Sequence, residues 1–332
     1  MRREKRVLVA IVIASTLLVS ILGYMYLTEI GQRETVYVGT TTSLYDTGLL
    51  DVLKEEYEAD HPGTNIAFIS AGTGIALEHG KNGDVDVLLV HSPALEYQFM
   101  EEGFGVNRKI FAYNFFVIVG PPEDPAGING TGPTEALQTL LEYGRSTGGP
   151  IWVSRDDRSG TNQKEIALWG EAGFDYDTIK QEGWFLSSGS GMGATLQVAD
   201  ERGLYTLSDI GTYLKYRADG LIGLERLVEN DETLINVYSA IAVNNTRVSH
   251  VNFQGAMQFI QFMVSQRVQE IIAEYGADTL GRPLFNPAVD VLRTGQPADV
   301  AGWIRSYAYF DVGGTLYECP PQWRIGEYGL YS

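Results

Sequence analysis

Four segments of the sequence place glycine, serine and threonine between a predicted strand and a predicted helix. They are residues 39–43 (GTTTS), 70–74 (SAGTG), 154–161 (SRDDRSGT) and 189–193 (GSGMG). A helix start exposes main-chain N–H groups and the positive end of the helix dipole, and hydroxyl groups add further donors. Arg155 adds a guanidinium that can bind an anion through two hydrogen bonds. One such segment is typical of an ordinary capped helix, but four together indicate an anion clamp.

Motifs for several kinds of catalysis are absent from the sequence. There is no G-x-x-x-x-G-K-[ST] loop, no G-x-S-x-G elbow, and the glycines at 189–193 do not form G-x-G-x-x-G. The four histidines, at positions 61, 79, 91 and 250, stand singly, so we interpret each as a surface or packing residue that pairs with no nucleophile and no metal. We therefore expect no enzyme, no catalytic residue, no metal ligand and no cofactor. An anchored extracellular hydrolase using Ser or Thr is kept as an alternative.

The segments around these motifs alternate between short apolar runs and amphipathic helical runs. Runs such as VDVLLVH and FFVIVG are nearly continuously apolar, as strands covered on both faces require. This alternation predicts an α/β fold. Near the end of the chain, apolar residues between 253 and 275 recur at helical spacing and predict one long helix.

Two strand-like stretches, residues 112–120 and 236–244, are similar in pattern, and the chain changes character after each. If both cross a hinge, residues 35–118 and 238–332 form lobe one and residues 119–237 form lobe two. A cleft between lobes joined by two crossing strands suits a protein that closes on a ligand. The pattern alone is equally compatible with two ordinary core strands.

The N-terminus carries a membrane signal. Residues 1–6 (MRREKR) are net positive, and residues 7–27 hold no charged side chain. As a helix, this uncharged segment would be about 30 Å long, which matches the hydrocarbon core of a bilayer. We predict that residues 1–6 are cytoplasmic and that residues 7–28 form one transmembrane helix, a single-pass anchor that holds the rest of the chain outside. A cleaved signal peptide and a secreted protein are the alternative.

The part of the chain that follows residue 33 is strongly acidic. It holds 40 of the 42 Asp and Glu residues but only 19 of the 24 Lys and Arg residues. Such a charge repels nucleic acid and anionic membrane surfaces, so we expect neither to bind this part. The single cysteine, Cys319, excludes an internal disulfide and a structural zinc site.

Several long segments follow, in order, the pattern of one protein family. They begin with TTTSLYDTGLLDVL at 40–53 and continue at 71–93, 103–128, 154–165, 190–214 and 274–285, so that they cover about residues 35–287. The sequence resembles the tungstate-binding proteins, which are the extracytoplasmic substrate-binding components of tungstate ABC transporters. The resemblance implies a two-lobed type II periplasmic-binding-protein fold. It also implies a tetrahedral oxyanion as ligand, tungstate and often molybdate, which is delivered to a membrane permease driven by a separate ATPase.

The resemblance further implies which side chains contact the ligand. The TTTS element would supply Thr41, Thr42 and Ser43 from lobe one, and the SRxDxSGT element would supply Arg155, Ser159 and Thr161 from lobe two. The helix-start argument adds Thr73 and the main chain of Gly191, Met192 and Gly193. Tungsten would be bound only as its oxyanion, which offers hydrogen-bond acceptors alone. We therefore expect a site made of N–H, hydroxyl and guanidinium donors. We also expect the protein to be a monomer.

Two features depart from the family pattern, and three alternatives stay open. The first is that residues 288–332 are rich in aromatic side chains and form either extra packing on lobe one or a docking surface. The second is that no cysteine lies near the membrane end to accept a lipid. Phosphate or sulfate is the alternative ligand within the class, since Asp46, Asp156 or Asp157 could accept the proton of monohydrogen phosphate. An adhesion or structural module is the alternative besides the hydrolase.

Overall fold

The computed structural model of the protein describes residues 15–21, 33–229, 231–326 and 328–331. Residues 15–21 are helical and exposed, and we label them α1. The predicted cytoplasmic residues 1–6 and most of the predicted anchor over residues 7–28 lie outside the described residues. Among the residues that are described, no helix is both long enough and apolar enough to cross a membrane.

The largest group of paired strands is built from the predicted apolar runs. Its order is β10 (Asn286–Pro287), β4 (Gly105–Gly120), β9 (Ile235–Val243), β3 (Val87–Val90), β1 (Glu34–Thr41) and β2 (Thr64–Ala71). Strand β1 runs parallel to β2 and β3, whereas β9 is antiparallel to β3 and β4. Every residue of β3 and β9 is buried, as strands covered on both faces require. The connecting helices are α2 (Thr42–Tyr45), α3 (Leu49–Asp60), α4 (Thr73–Asn82), α5 (Pro93–Glu101), α11 (Phe253–Met263), α12 (Gln266–Glu274) and α13 (Ala277–Leu280).

The long strand β4 changes partners partway along its length. Up to Phe115 it pairs with β9, and from Phe116 onward it pairs with β7 (Thr206–Asp209) and β8 (Glu225–Val228). The chain returns to the first group of strands where β9 begins at Ile235. We use lobe two for the described residues within 116–234 and lobe one for the described residues of 33–115 and 235–331. Both changeovers lie a few residues before the predicted boundaries at 118/119 and 237/238.

Lobe two has its own strands, helices and core. Besides β7 and β8 it contains the parallel pair β5 (Trp152–Ser154) and β6 (Phe185–Ser187), with the helices α6 (Pro133–Thr147), α7 (Gly160–Glu171), α8 (Tyr176–Ile179), α9 (Met192–Arg202) and α10 (Ile210–Ala218). Its buried side chains, Trp152 and Trp169 among them, cluster separately from those of lobe one. The fold is therefore α/β, as the sequence predicts.

The predicted single helix over residues 253–275 is wrong, because the chain forms α11 and α12 instead. Ser265 lies between them, and its side chain accepts a hydrogen bond from the N–H of Val268, which starts the second helix. Both helices bury their apolar faces in the same core, with Ile260 and Ile272 fully buried. The helical spacing of apolar residues therefore continues across a break that the pattern does not reveal.

The described residues from 288 onward pack against the rest of lobe one. They form α14 (Val289–Thr294), α15 (Ala298–Ala308), the hairpin of β11 (Phe310–Val312) and β12 (Thr315–Tyr317), and a 3-10 turn at Pro321–Trp323. Glu318 accepts hydrogen bonds from the Ile110 N–H at 2.7 Å and from Lys109 Nζ at 2.8 Å. Phe310 and Cys319 join a buried cluster of lobe one. The aromatic-rich extension is thus an added layer on this lobe.

Candidate anion-binding site

The first element of the site is the start of α2, directly after β1. Thr41 is the N-cap, and its Oγ1 accepts a hydrogen bond from the Leu44 N–H at 3.3 Å. The N–H groups of Thr42 and Ser43 lie in the first turn, where a helix offers them no main-chain acceptor. The Ser43 hydroxyl lies 3.4 Å from Thr41 Oγ1 and 3.3 Å from His91 Nε2. This element therefore combines main-chain donors with three adjacent hydroxyl groups.

The second element is the start of α4, directly after β2. Gly72 is the N-cap and Thr73 is the first helical residue. Thr73 is fully buried, and its Oγ1 has no hydrogen-bond partner in the described part of the chain. The next residue, Gly74, donates its N–H to the main-chain oxygen of Arg158 in lobe two at 3.4 Å. Thr73 thus lies where the two lobes meet, with a hydroxyl that is free to donate.

The third element is the loop between β5 and α7 in lobe two. Asp156 and Arg158 have positive φ angles of 44° and 60°, which residues other than glycine rarely adopt. Asp157, between them, accepts hydrogen bonds from the Ser159 N–H at 3.0 Å and from Arg155 Nη2 at 2.6 Å. Strained conformations of this kind persist where surrounding contacts enforce them, and they cluster at binding sites. The loop is therefore shaped to hold a carboxylate beside the Arg155 guanidinium.

Arg155 is the central cation of the site. Its side chain is 2% exposed, and Asp157 Oδ2 accepts from both its Nε, at 3.1 Å, and its Nη2. Nη2 also donates to Oγ1 of Thr42 in lobe one at 3.3 Å. The remaining nitrogen, Nη1, is buried without a hydrogen-bond partner among the described residues. The guanidinium is therefore oriented by two partners and keeps one nitrogen available for an anion.

The start of α7 adds hydroxyl groups to the lobe-two half of the site. Ser159 is the N-cap, and its Oγ accepts a hydrogen bond from the Asn162 N–H at 3.2 Å. A capping hydroxyl that accepts a hydrogen bond keeps its own proton for donation. Thr161 is 1% exposed, and its Oγ1 has no partner within the described ranges. Both side chains can therefore donate to a ligand.

The start of α9 is the fourth element, and only its main chain can take part. Gly191 is the N-cap, and a Cβ added to it would lie 3.8 Å from Thr42 Oγ1, so this helix start faces lobe one. The Met192 side chain is fully buried in the core of lobe two. At Gly193 an added Cβ would collide with the Tyr216 hydroxyl. The glycines therefore bring a helix start close to the cleft without side chains.

Two further carboxylates lie within the electrostatic reach of Arg155. Burial raises the pKa of Asp46 and of Asp209 above the ordinary value, and the positive charge of Arg155 offsets only part of this rise. Asp209 is the N-cap of α10 and accepts hydrogen bonds from the N–H and the hydroxyl of Thr212. Asp156, by contrast, accepts a hydrogen bond from Ser187 within lobe two. The acidic surroundings mean that an anion must be held by short-range donors, because the long-range field opposes it.

Sequence reasoning missed His91, which contacts Ser43 of this site, and Asn236, which contacts His91. His91 is 3% exposed and contacts Ser43 through Nε2 and Asn236 through Nδ1. The sequence predicts that His91 is a packing residue that pairs with no nucleophile. His91 is buried, but it does pair with a hydroxyl, so that part of the prediction is wrong. A signal for His91 existed, because it directly follows β3, and the carboxyl ends of the parallel strands β1 and β3 meet at one edge. Asn236 is far away in sequence, and no motif marks it.

The chemistry that this arrangement supports is binding by donors. In the part of the chain that the structure describes, no group of three or more His, Cys, Asp and Glu side chains can hold a metal ion. Ser43, His91 and Asn236 are connected like a catalytic triad. However, burial lowers the pKa of His91 to about 4, and the third member is an amide, so the imidazole is a weak base.

Comparison with known proteins identifies the family of the chain. Residues 29–267 match the family model described as the PBP superfamily domain, so the chain is a member of this class. It is 41% identical over 256 residues to the tungstate-binding protein TupA of Peptoclostridium acidaminophilum, across 77% of this chain and 86% of that protein. The chain therefore belongs, within the superfamily, to the tungstate-binding protein family.

Two solved structures of similar proteins support the assignment. The tungstate-binding protein TupA from Desulfovibrio alaskensis G20 matches with a TM-score of 0.64 and 39% identity, over 76% of this chain and 98% of that one. The tungstate ABC transporter structure from Geobacter sulfurreducens matches with a TM-score of 0.65 and 40% identity, over 73% and 99% of the two chains.

Proposed function

We propose that the chain binds a tetrahedral oxyanion between its lobes, with tungstate as the preferred ligand and molybdate as a second one. One observation carries the proposal. Three buried donors, Arg155 Nη1, Thr73 Oγ1 and Thr161 Oγ1, have no hydrogen-bond partner among the described residues, and they belong to helix starts or loops on both sides of the cleft. A buried donor left unpaired costs about 1–3 kcal/mol, so a site that keeps three of them suits a ligand made of acceptors.

The same donors account for tight binding. A hydrogen bond to a charged group contributes about 1.5–3 kcal/mol, compared with about 0.5–1.5 kcal/mol for a neutral pair. An oxyanion would also meet the positive ends of the helix dipoles of α4, α7 and α9. Together these contributions offset the cost of ordering the ligand and closing the lobes. The Thr41, Thr42 and Ser159 hydroxyls, the main-chain N–H of Ser43 and the main chain of 191–193 complete the proposed ligand set.

The cellular role follows from the family and from the N-terminal sequence. We propose a type II binding protein that is anchored by residues 7–28, with both lobes outside the membrane. It would act as a monomer without a cofactor and deliver its oxyanion to the permease of an ABC transporter that is driven by a separate ATPase. The uncharged run after a basic N-terminus supports the anchor. A cleaved and secreted form is the alternative.

Thermal unfolding of the full chain in detergent tests the ligand. We would compare tungstate, molybdate, sulfate and phosphate at equal concentrations, because a ligand that binds only the folded state raises the midpoint according to its affinity. We expect the largest rise with tungstate. A rise with phosphate alone would show that the assignment of tungstate is wrong. If none of the four oxyanions shifts the midpoint, the proposal as a whole fails.

A further inference from the structure

His91 lies at a junction between the anion site, the hinge strands and lobe two. It directly follows β3, and its imidazole stacks on the Tyr238 ring with centroids 4.8 Å apart. Nδ1 lies 2.8 Å from Asn236 Oδ1, and Nε2 lies 3.3 Å from the Ser43 hydroxyl. Asn236 belongs to β9, just after the point where the chain returns from lobe two. The ring is therefore fixed on both edges and on one face.

A chain of buried amides sets the direction of these hydrogen bonds. The main-chain oxygen of Leu284 can only accept, so the Asn114 amide nitrogen, 3.3 Å away, must face it. Asn114 then offers its oxygen to the amide nitrogen of Asn236 at 2.8 Å, which leaves the Asn236 oxygen facing His91. His91 Nδ1 must therefore carry the proton.

The consequence for Ser43 follows from the inventory of donors and acceptors. A neutral imidazole that is protonated on Nδ1 has a bare Nε2, which can only accept. The Ser43 hydroxyl then donates its single proton to His91. Burial, which lowers the pKa of His91 to about 4, keeps the ring neutral at physiological pH. Ser43 is thus left with its main-chain N–H, and not its hydroxyl, for binding an anion.

Lobe two contacts the same imidazole from the cleft. Gly160 is the first residue of α7, and a Cβ added to it would lie 2.8 Å from His91 Cε1 and 2.9 Å from Nε2. Real Cβ atoms do not approach other atoms so closely, and the ring cannot move aside without breaking its two hydrogen bonds. The start of α7, which carries Ser159 and Thr161, therefore reaches its place only because residue 160 has no side chain.

We propose that His91 is a positioning residue of the closed oxyanion site, which fixes the Ser43 hydroxyl in lobe one and supports Gly160 at the start of α7 in lobe two. This inference rests on the proposed oxyanion-binding function. His91 does not touch the ligand. It sets which donors of the α2 start are available and how closely the α7 start approaches them.

A double-mutant cycle with tungstate as the probe tests the contact between the lobes. By calorimetry on the full chain, Gly160→Ala should weaken binding about tenfold or more, because the added methyl overpacks against the imidazole. His91→Ala should weaken binding about threefold to tenfold by leaving Ser43 and Asn236 unpaired. In the His91→Ala background, Gly160→Ala should cost less than about twofold, because the methyl then has room.

The control is Gly170→Ala, the same change in the same helix at a position where an added Cβ meets no atom within 4 Å. It should leave affinity unchanged. If Gly160→Ala has no effect, or has the same effect in both backgrounds, His91 does not support the α7 start and the proposal is overturned. Thermal unfolding of each ligand-free variant shows whether it is folded, and Gly160→Ala alone removes no side chain of the network.

The nitrogen spectrum of the imidazole tests the hydrogen-bond direction without any ligand. In the ligand-free full chain, ¹⁵N shifts should show His91 protonated on Nδ1 and bare on Nε2 at pH 7. A proton on Nε2, or on both nitrogens, would overturn the assignment of the Ser43 proton. If the wild-type chain binds none of the oxyanions, the proposed function fails, and the role of His91 in it fails as well. If the wild type binds tungstate and the cycle shows no coupling, only this inference fails.

Discussion

The Nη2 nitrogen of Arg155 lies 3.3 Å from Oγ1 of Thr42, and this hydrogen bond joins lobe two to lobe one across the cleft. Thr42 Oγ1 accepts in this contact, so its own proton stays available for a ligand. The guanidinium is also paired with Asp157, which keeps it in this orientation. Arg155, the cation that would bind the anion, therefore also holds the two lobes together through its contact with Thr42.

Replacing Arg155 should remove much of the affinity. We expect Arg155→Ala to weaken tungstate binding by roughly tenfold to a hundredfold, because a charge-assisted donor is lost and Asp157 is left facing the anion. The affinity of Arg155→Lys should lie between those of the wild type and of Arg155→Ala, since lysine keeps the charge but not the planar donor geometry. The matched control is Arg158→Ala, which removes the same charge from an exposed side chain of the same loop. Equal losses in calorimetry at both positions would show that only net charge matters.

The unpaired hydroxyls should affect binding and stability in opposite directions. Thr73→Val and Thr161→Val replace a buried hydroxyl without a described partner by a methyl group. We expect each to weaken tungstate binding about tenfold, while the free energy of unfolding of the ligand-free protein stays the same or rises.

Thr206→Val is the control for these two substitutions, because the Thr206 hydroxyl donates to the Val153 main-chain oxygen at 2.7 Å. It should lower the unfolding free energy by about 1 kcal/mol and leave affinity unchanged. Urea titration and calorimetry on all three variants measure both quantities. A loss of stability at Thr73 or Thr161 similar to that at Thr206 would mean that their hydroxyls are structural.

The sequence predicts more of the fold than of the site. The α/β class is confirmed, and each of the four Gly/Ser/Thr segments does precede a helix, since strand and helix patterns and capping residues are local signals. The first segment, however, leads into the short α2 and not directly into α3, the helix that carries Leu49 and Leu53. The break at Ser265 could not be predicted, because the helices on both sides pack the same core. His91 and Asn236 are 145 residues apart, and their hydrogen bond depends on how β3 and β9 pair. Which hydroxyls are free to donate is likewise decided by tertiary contacts and not by residue type.

The extension should stabilise lobe one through Glu318. Glu318→Ala would leave the Ile110 N–H and Lys109 without their carboxylate partner, and we expect it to lower the unfolding free energy by roughly 2–4 kcal/mol. Asp290→Ala, in the same extension, removes a carboxylate that pairs with the exposed Arg293 and should cost about 0.5 kcal/mol or less. Chemical denaturation of both variants measures the difference. Similar small losses would mean that the extension contributes little to lobe one.

Glu165 should make the stability of lobe two depend on pH. Burial raises its pKa from 4.5 to about 7, although Ser154 and Trp152 donate hydrogen bonds to it. Between these two values the folded state holds a proton that the unfolded state has lost. The unfolding free energy should therefore fall as the pH rises from about 4.5 to about 7.5, by up to about 3 kcal/mol from this group.

Glu165→Gln removes this titration and provides the comparison. From pH 5 to pH 8 the wild type should lose stability through Glu165, whereas the Gln variant should not. The unfolding free energy of the variant should therefore rise relative to that of the wild type over this range. Denaturant titrations at several pH values measure it. A difference that does not change with pH would show that the carboxyl keeps an ordinary pKa in the folded protein.

The partner change within β4 also determines how the molecule comes apart. Each lobe has its own core, and a chain with two cores can unfold in two steps. Here, however, one uninterrupted strand supplies the central pairing of both, from Gly105 to Phe115 on one side and from Phe116 to Gly120 on the other. Melting of either core frays the strand on which the other depends. We therefore expect calorimetry to show a single heat-absorption peak, with equal calorimetric and van't Hoff enthalpies, for the two lobes together.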